Sequence, residues 1–188
     1  LDPELARLYQ ERFPNDKVII ADAHQYLLDH YGDFDFIWSS PPCPKNSRAR
    51  FWGLGNGTVE PCYPALELYQ QHIFLRHHFK GKYVIENVIP YYEPLMPGEK
   101  RDRHLYWCNF RIPNVLSKRT KMFASIKDSR AKMEKYHEID LSTYKGNQRK
   151  DKIARNLVDY EAGRTILETA LGIIRKKDIT QTELFNEK

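Results

Sequence analysis

The segment that most constrains the fold is residues 33–43, which read Asp-Phe-Asp-Phe-Ile-Trp-Ser-Ser-Pro-Pro-Cys. Its apolar, aromatic and β-branched residues predict a buried strand. The two prolines end that strand, because proline donates no ladder hydrogen bond and keeps the residue before it extended. Cys43 is the first residue after this stop. A thiol on a stiff turn after a strand is well placed for chemistry, since open α/β sheets bind ligands at that edge.

A second short apolar run, residues 82–85, predicts a strand that ends just before Glu86 and Asn87. If the two strands are neighbours, Cys43 and Glu86 meet in one pocket at the sheet edge. Pro-Cys after one strand and Glu-Asn-Val after the next resemble the signatures of the DNA cytosine-5 methyltransferases. The resemblance implies an α/β fold with a doubly wound, mostly parallel sheet of the Rossmann-like type found in S-adenosylmethionine-dependent methyltransferases, carrying a small target-recognition insertion.

Length and composition are typical of one folded unit. The chain has 188 residues, of which 41% are hydrophobic and 13% aromatic, which favours a globular protein over a disordered one. It has no bilayer-length apolar run, no secretory signal pattern at its start, and three cysteines without a C-x-x-C pair. We therefore expect a cytoplasmic protein with no metal and no membrane contact, and the resemblance adds a bacterial, archaeal or phage origin.

Periodicity and charge suggest three parts along the chain. Residues 1–110 are expected to form the catalytic core, with helices over 1–13 and 63–79 and strands over 17–21 and 104–110. Residues 111–150 are charged and poorly periodic, and the resemblance makes them a small target-recognition region. Residues 151–188 are expected to return to the core, with an amphipathic helix over 159–175.

The resemblance assigns five catalytic residues. Cys43 is the nucleophile that adds to cytosine C6, Glu86 is a protonated carboxyl at N3 and the exocyclic amine, and Asn87 orients the loop. Arg103 contacts the target ring, and Arg101 contacts the active-site loop or its backbone. Taken without the resemblance, a lone cysteine is more often a small buried hydrophobe, and the arginines are typical of a charged edge strand.

Four residues are expected to bind S-adenosylmethionine. Asp22 and Ala23 correspond to the residues beside the adenine, Pro42 precedes the nucleophile, and Asn156 corresponds to a residue at the cofactor's polar end. Asp22 is also a good helix N-cap, and Asn156 an ordinary residue at a helix start. The family's opening strand and its Phe-x-Gly-x-Gly loop have no counterpart here. The chain is therefore expected to be a truncated enzyme, a degenerate relative, or half of a split enzyme whose second chain supplies that motif.

The charge pattern favours double-stranded DNA as the partner. The net charge is +5 with a pI near 9.0, and basic residues cluster after the nucleophile. The residues expected to contact DNA are Lys45, Ser47, Arg48 and Arg50. The glycines of residues 44–60 predict a mobile loop that closes over a flipped base. We expect Lys45, Arg48 or Arg103 to lower the pKa of the Cys43 thiol.

The sequence also fits other functions. Ser40-Pro41-Pro42 also resembles the start of the motif of methyltransferases that act on cytosine N4 or adenine N6, although Cys43 stands where those enzymes have an aromatic residue. An RNA cytosine is a further possible substrate. A third reading is a non-catalytic DNA-binding relative or subunit, and a basic surface without any partner would explain the charge alone. The cytosine-5 reading implies DNA methylation of the kind used in restriction-modification.

Overall fold

The sheet at the centre of the fold has four strands. A computed structural model describes residues 2–116 and 129–173, and its strands are β1 (Phe36–Ser39), β2 (Lys82–Val88), β3 (Glu99–Arg101) and β4 (His104–Cys108). Their order is β1-β2-β4-β3. Only β1 and β2 are parallel, and β4 is antiparallel to both β2 and β3. The predicted α/β class is confirmed, but the sheet of the described residues is mixed and not mostly parallel.

The described residues also form seven α-helices. They are α1 (Pro3–Arg12), α2 (Ala23–His30), α3 (Ala49–Gly55), α4 (Glu67–His78), α5 (Ser129–His137), α6 (Lys150–Arg155) and α7 (Tyr160–Ala170). Each of α1, α2 and α7 begins with an aspartate whose side chain accepts hydrogen bonds from first-turn N–H groups. Within 2–116 and 129–173, no helix is long and apolar enough to cross a membrane.

Alternate residues of β2 and β4 pack on opposite faces of the sheet. One apolar cluster joins α4 to one face of the sheet through Ile37, Leu68, Tyr69, Leu75, Phe79, Tyr83, Ile85, Leu105 and Trp107. The other face packs against α7 and the chain after β4 through Val84, Tyr106, Ile112, Leu116, Ala162 and Ile166. Helices therefore cover both faces of the sheet.

A third apolar cluster ties the beginning of the chain to its later part. Leu5 and Leu8 of α1 pack against Met133, Leu141, Tyr144, Ile153 and Ala154. The cluster crosses position 150, where the sequence predicts a boundary between target-recognition region and core. Residues 117–128 of that region and residues 174–175 of the last predicted helix lie outside the described residues.

The strand predicted over residues 17–21 is wrong. In the described residues this segment belongs to no strand, and Ile19 and Ile20 are 44% and 53% exposed. The physical reason is that a strand needs a ladder partner, and the apolar pattern alone does not supply one. As a result, β1 is an edge strand of the described sheet.

Candidate active site

Cys43 lies in a tight turn just beyond the end of β1. Its backbone carbonyl accepts hydrogen bonds from the backbone N–H groups of Asn46 at 2.9 Å and Ser47 at 3.0 Å. Asn46 is 1% exposed, and its amide exchanges two hydrogen bonds with the backbone of Ala65, at 3.1 and 3.0 Å. The turn that carries the thiol is therefore anchored on its far side by a buried asparagine.

Glu86 and Asn87 lie inside β2 and not after it, which corrects the predicted strand end. The strand continues to Val88 because β4 pairs with it there, with Glu86 opposite Tyr106. On its other side, β1 ends opposite Ile85, so Glu86 reaches past the end of β1. There the Ser40 hydroxyl donates to Glu86 Oε2 at 2.9 Å.

Asn87 ties the turn before Cys43 to β2. Its side chain is on the opposite face of the strand from Glu86, and the residue is 2% exposed. Its Nδ2 donates to the carbonyl oxygen of Pro41 at 2.9 Å. This contact holds the Pro-Pro-Cys segment against the strand that carries Glu86.

Glu86 lies beside the segment that leads to Cys43, and its charge acts on the Cys43 thiol. The pKa of the Cys43 thiol is raised, chiefly by burial, and the charge of Glu86 acts in the same direction. The cation that acts against this shift is Lys152 on α6, and not Lys45, Arg48 or Arg103 as the sequence suggested. Lys152 could not be predicted from the sequence, because it is far from Cys43 along the chain and only the packing of α6 brings it near the turn.

The Glu86 carboxyl is held from both sides. Its Oε1 lies 3.3 Å from His104 Nε2, while its Oε2 accepts from Ser40. Trp38 Nε1 in turn donates to the Ser40 hydroxyl at 2.9 Å. Sequence analysis missed His104 in this role. The alternation of β4 places it on the same face as Tyr106, but its approach to Glu86 depends on the register between β2 and β4.

The two arginines before β4 have different surroundings. Arg101 Nε donates to the Pro113 carbonyl at 2.6 Å, and the guanidinium also forms an ion pair with Glu99 at 2.6 Å. Arg101 thus holds the chain that leaves β4, and among described residues its bonds do not reach the active-site loop as predicted. Arg103 is exposed in the turn between β3 and β4, and its carbonyl accepts from the Ile89 N–H at 3.3 Å.

The residues expected to contact DNA are Lys45, Ser47, Arg48 and Arg50, of which the first three lie between Cys43 and α3 and the last lies at the start of α3. Lys45 is exposed. Arg48 Nε donates to the Pro90 carbonyl at 3.2 Å, and Arg50 donates to the Glu60 carbonyl. Ser47 forms a β-bridge with the chain after β2, and its hydroxyl accepts from the N–H of the second residue after it at 3.2 Å. These contacts align the basic residues along one ordered segment.

Within this segment a helix replaces the glycine-hinged loop that was predicted. Gly53 is buried in α3, where an added Cβ would lie 2.3 Å from Val59 Cγ2. This glycine therefore permits close packing instead of acting as a hinge. The helix leaves Phe51 54% exposed and Trp52 79% exposed beside the basic residues, a feature that the sequence analysis did not use.

Asp22 and Ala23 lie at the start of α2, near the end of β1. The Asp22 carboxylate accepts from the N–H groups of His24 at 2.9 Å and Gln25 at 3.0 Å, which confirms the helix-cap reading and lowers its pKa. Gln71 connects this helix to β1, since its amide accepts from the Ser39 hydroxyl at 2.6 Å and lies 3.2 Å from His24 Nδ1. A cleft of about 250 Å³ opens there, lined by His24, Leu27, Leu28, Gln70, Gln71 and Phe74.

The other two predicted cofactor residues are Pro42 and Asn156. Pro42 is exposed in the turn immediately before Cys43. Asn156 caps the end of α6, with its N–H donating to the Lys152 carbonyl at 3.1 Å, so it ends one helix and does not begin another. Lys152, on the same helix, is the cation whose charge acts on Cys43.

No protein-family model, no curated protein and no solved structure matches the chain. The described residues also contain no group of three or more His, Cys, Asp or Glu side chains placed to hold a metal ion.

Proposed function

We propose that this chain transfers a methyl group from S-adenosylmethionine to C5 of a cytosine in double-stranded DNA. The observation that carries the proposal is that the segment leading to Cys43, just beyond β1, is held beside Glu86 on the parallel neighbouring strand β2, by the hydrogen bonds from Ser40 to Glu86 and from Asn87 to Pro41. A sulfur nucleophile and a carboxyl on one planar base are what addition at C6 requires. The remaining assignments follow from this pair.

Cytosine C5 becomes reactive only after a nucleophile has added at C6. The Cys43 sulfur forms a bond to C6, the ring electrons shift toward N3, and N3 takes up a proton. The thiolate is the reactive form, and burial raises the pKa of Cys43 in the free protein. Lys152 opposes that shift, so it is the side chain of this site that favours the thiolate.

Glu86 is the residue proposed to act on the other side of the ring. A carboxyl there donates to N3 and accepts from the exocyclic amine, which selects cytosine over thymine. The hydrogen bond from Ser40 and the contact with His104 restrict the carboxyl to one orientation. Asn87 keeps the thiol turn in register with it by holding Pro41.

The residues near the sheet edge fit the adenosine part of S-adenosylmethionine. Asp22 offers a carboxylate, Ala23 a backbone position, and the adjoining cleft apolar and amide side chains for a flat ring. Pro42 and Asn156 are the residues proposed at the end nearer the thiol. When bound, the cofactor supplies an electrophilic methyl group. The glycine-rich loop that the family uses for the methionine part is the piece that a second chain would contribute.

The edge position of β1 supports this partner. One side of β1 pairs with β2, and the other side pairs with nothing in residues 2–116 and 129–173. Ile19 and Ile20 of the apolar segment 17–21 are exposed. A strand added beside β1 would extend the sheet toward the doubly wound, Rossmann-like arrangement that the resemblance implies. The proposal also includes a cytoplasmic setting and the division of the chain into a catalytic core, a target-recognition region and a C-terminal segment that returns to the core.

The ordered segment after Cys43 is the proposed DNA-contacting surface. Arg48 and Arg50 are held by backbone carbonyls, and Lys45 is exposed beside them. Cations of this kind grip phosphates and fix the register of the duplex. Such contacts offset the cost of flipping a base, which is a few kcal/mol. The exposed Trp52 offers a flat apolar surface to the neighbouring bases.

The test is methyl transfer followed by nucleoside analysis. The purified protein is incubated with cytosine-containing duplex DNA and deuteriomethyl-labelled S-adenosylmethionine, and the digested DNA is examined by mass spectrometry. Labelled 5-methylcytosine that disappears in Cys43→Ser supports the proposal. Labelled N4-methylcytosine or N6-methyladenine supports the amino-methyltransferase reading instead.

A parallel experiment separates the catalytic reading from the non-catalytic one. Calorimetric titration with S-adenosylmethionine is performed on the chain alone and on the chain with a supplied partner that carries a glycine-rich loop. Cofactor binding in either case supports an enzyme. Salt-dependent DNA binding without cofactor binding or methyl transfer in both cases supports a DNA-binding subunit.

A further inference from the structure

The His104 imidazole is in contact with the Glu86 carboxyl. The imidazole Nε2 lies 3.3 Å from Glu86 Oε1, and the side chains are 31% and 14% exposed. We propose that these two side chains form a proton-sharing pair, in which His104 is a positioning residue that stores the proton Glu86 gives to N3. This inference rests on the proposed function. It adds His104 to Glu86 as a second residue of the acid that protonates N3.

The sheet itself fixes the pair. Glu86 stands opposite Tyr106 and Val88 stands opposite His104 in the β2–β4 ladder, so Glu86 and His104 are diagonal neighbours on one face. The Ser40 hydroxyl occupies the other carboxyl oxygen and is itself held by Trp38. The carboxyl therefore presents one oxygen to the imidazole in a fixed orientation, while the partly exposed imidazole can exchange protons with water.

The proton balance of the addition step gives the pair its purpose. When the Cys43 thiolate bonds to C6, the C5–C6 π electrons shift through C4 and the electron pair released reaches N3. The His104 imidazolium passes its proton to the Glu86 carboxylate, and Glu86 passes that proton to N3, which leaves a neutral imidazole beside a carboxylate. When the C5 proton later leaves to a base and the carbon–sulfur bond breaks, N3 returns its proton to the pair. No net charge is created or lost over the cycle.

The pair is useful because an isolated carboxyl has lost its proton at neutral pH. An imidazolium beside a carboxylate holds its proton to higher pH than one in water, because the opposite charge stabilises it. The charged groups that act on Cys43 and Tyr106, the titratable neighbours of the pair, are Lys152, Asp159, Asp102 and Arg101. Of these, the cations disfavour an imidazolium and the aspartates favour it.

The test compares His104→Gln, which keeps an N–H donor but carries no proton, with the parent protein across pH 6–9. The readout is tritium release from C5 of labelled cytosine in duplex DNA, which reports addition at C6 without methyl transfer. We expect the rate of His104→Gln to fall about tenfold or more at pH 8 and about threefold or less at pH 6. His77 is exposed on α4, so His77→Gln is the matched control. Its rate of tritium release should depend on pH in the same way as that of the parent protein.

The outcomes separate the inference from the function. If the parent protein releases no tritium at any pH, the proposed function fails. If the parent protein is active and His104→Gln has the same pH–rate profile, the proton-sharing pair is refuted while the proposed function stands. Because the variant could also fold poorly, ring-carbon NMR of labelled histidines in the parent and in Glu86→Gln gives an independent answer. His104 should titrate at lower pH in Glu86→Gln, and an unchanged titration overturns the proposal.

Discussion

Replacing Asn87 with alanine tests the tie between the thiol turn and β2. The residue is 2% exposed and donates to the Pro41 carbonyl at 2.9 Å. Removing the donor loses one hydrogen bond and leaves a partly buried carbonyl without that partner, which costs about 1–3 kcal/mol. For a chain of this size the corresponding fall in melting temperature is roughly 2 to 12 °C.

The same substitution should slow the chemistry more than its stability cost implies. Without the tie, the Cys43 sulfur is no longer held at one position relative to Glu86, and an error of this kind costs about 10- to 100-fold in rate. The assays are urea unfolding followed by circular dichroism, and tritium release from C5 under conditions where the variant is folded. Both effects arise from one contact, so they should appear together.

Asn109→Ala is the matched control for this experiment. Asn109 accepts from the Tyr83 N–H at 3.1 Å and donates to the Gly81 carbonyl at 2.8 Å, at the other end of β2. Its loss should cost about 0.5–1.5 kcal/mol, since the site is exposed, and should leave the rate of the folded protein unchanged. The reasoning is refuted if Asn87→Ala is as stable as the parent, or if both variants slow the reaction equally.

Three further predictions follow from single contacts. Alkylation of Cys43 should reach half its maximal rate at higher pH than alkylation of a free cysteine thiol, because burial raises the Cys43 pKa, and Lys152→Gln should move the Cys43 midpoint slightly further upward. Duplex DNA should quench the fluorescence of the exposed Trp52, and Trp52→Phe should remove most of that quenching, whereas equal quenching in the variant would contradict the stacking surface. Gly81→Ala should destabilise the protein by about 1–3 kcal/mol, measured by urea unfolding, because the new Cβ would meet the backbone oxygen of the residue before β1 at 2.3 Å.

The placement of Cys43 just beyond β1 and of Glu86 on the neighbouring strand could be predicted because each lies where an apolar run stops. The proline pair marks the end of β1 from local chemistry alone. The end of β2 is different, because Glu86 and Asn87 are polar and look like a stop. They continue the strand only because β4 pairs with them, and that pairing depends on tertiary structure.

The residues that sequence reasoning missed share this dependence on tertiary structure. His104 reaches Glu86 through strand register, and Lys152 reaches Cys43 through the packing of a helix more than a hundred positions away. The wrong strand at residues 17–21 is the converse case. Its apolar residues satisfy the local pattern, but no neighbouring strand completes a ladder in the described residues. Asp22 was ambiguous for a local reason, since an N-cap and a ligand contact use the same carboxylate.

The most direct test of the account is a duplex that carries 5-fluorocytosine, incubated with S-adenosylmethionine and the protein together with any partner it requires. Fluorine cannot leave C5 as a proton does, so addition at C6 ends in a stable bond to the protein. The account predicts a denaturation-resistant complex whose digested peptide carries the pyrimidine on Cys43, and no complex with Cys43→Ser. Methyl transfer to cytosine with no covalent complex, or a complex that maps to another residue, would contradict the central claim that this thiol and Glu86 act on one base.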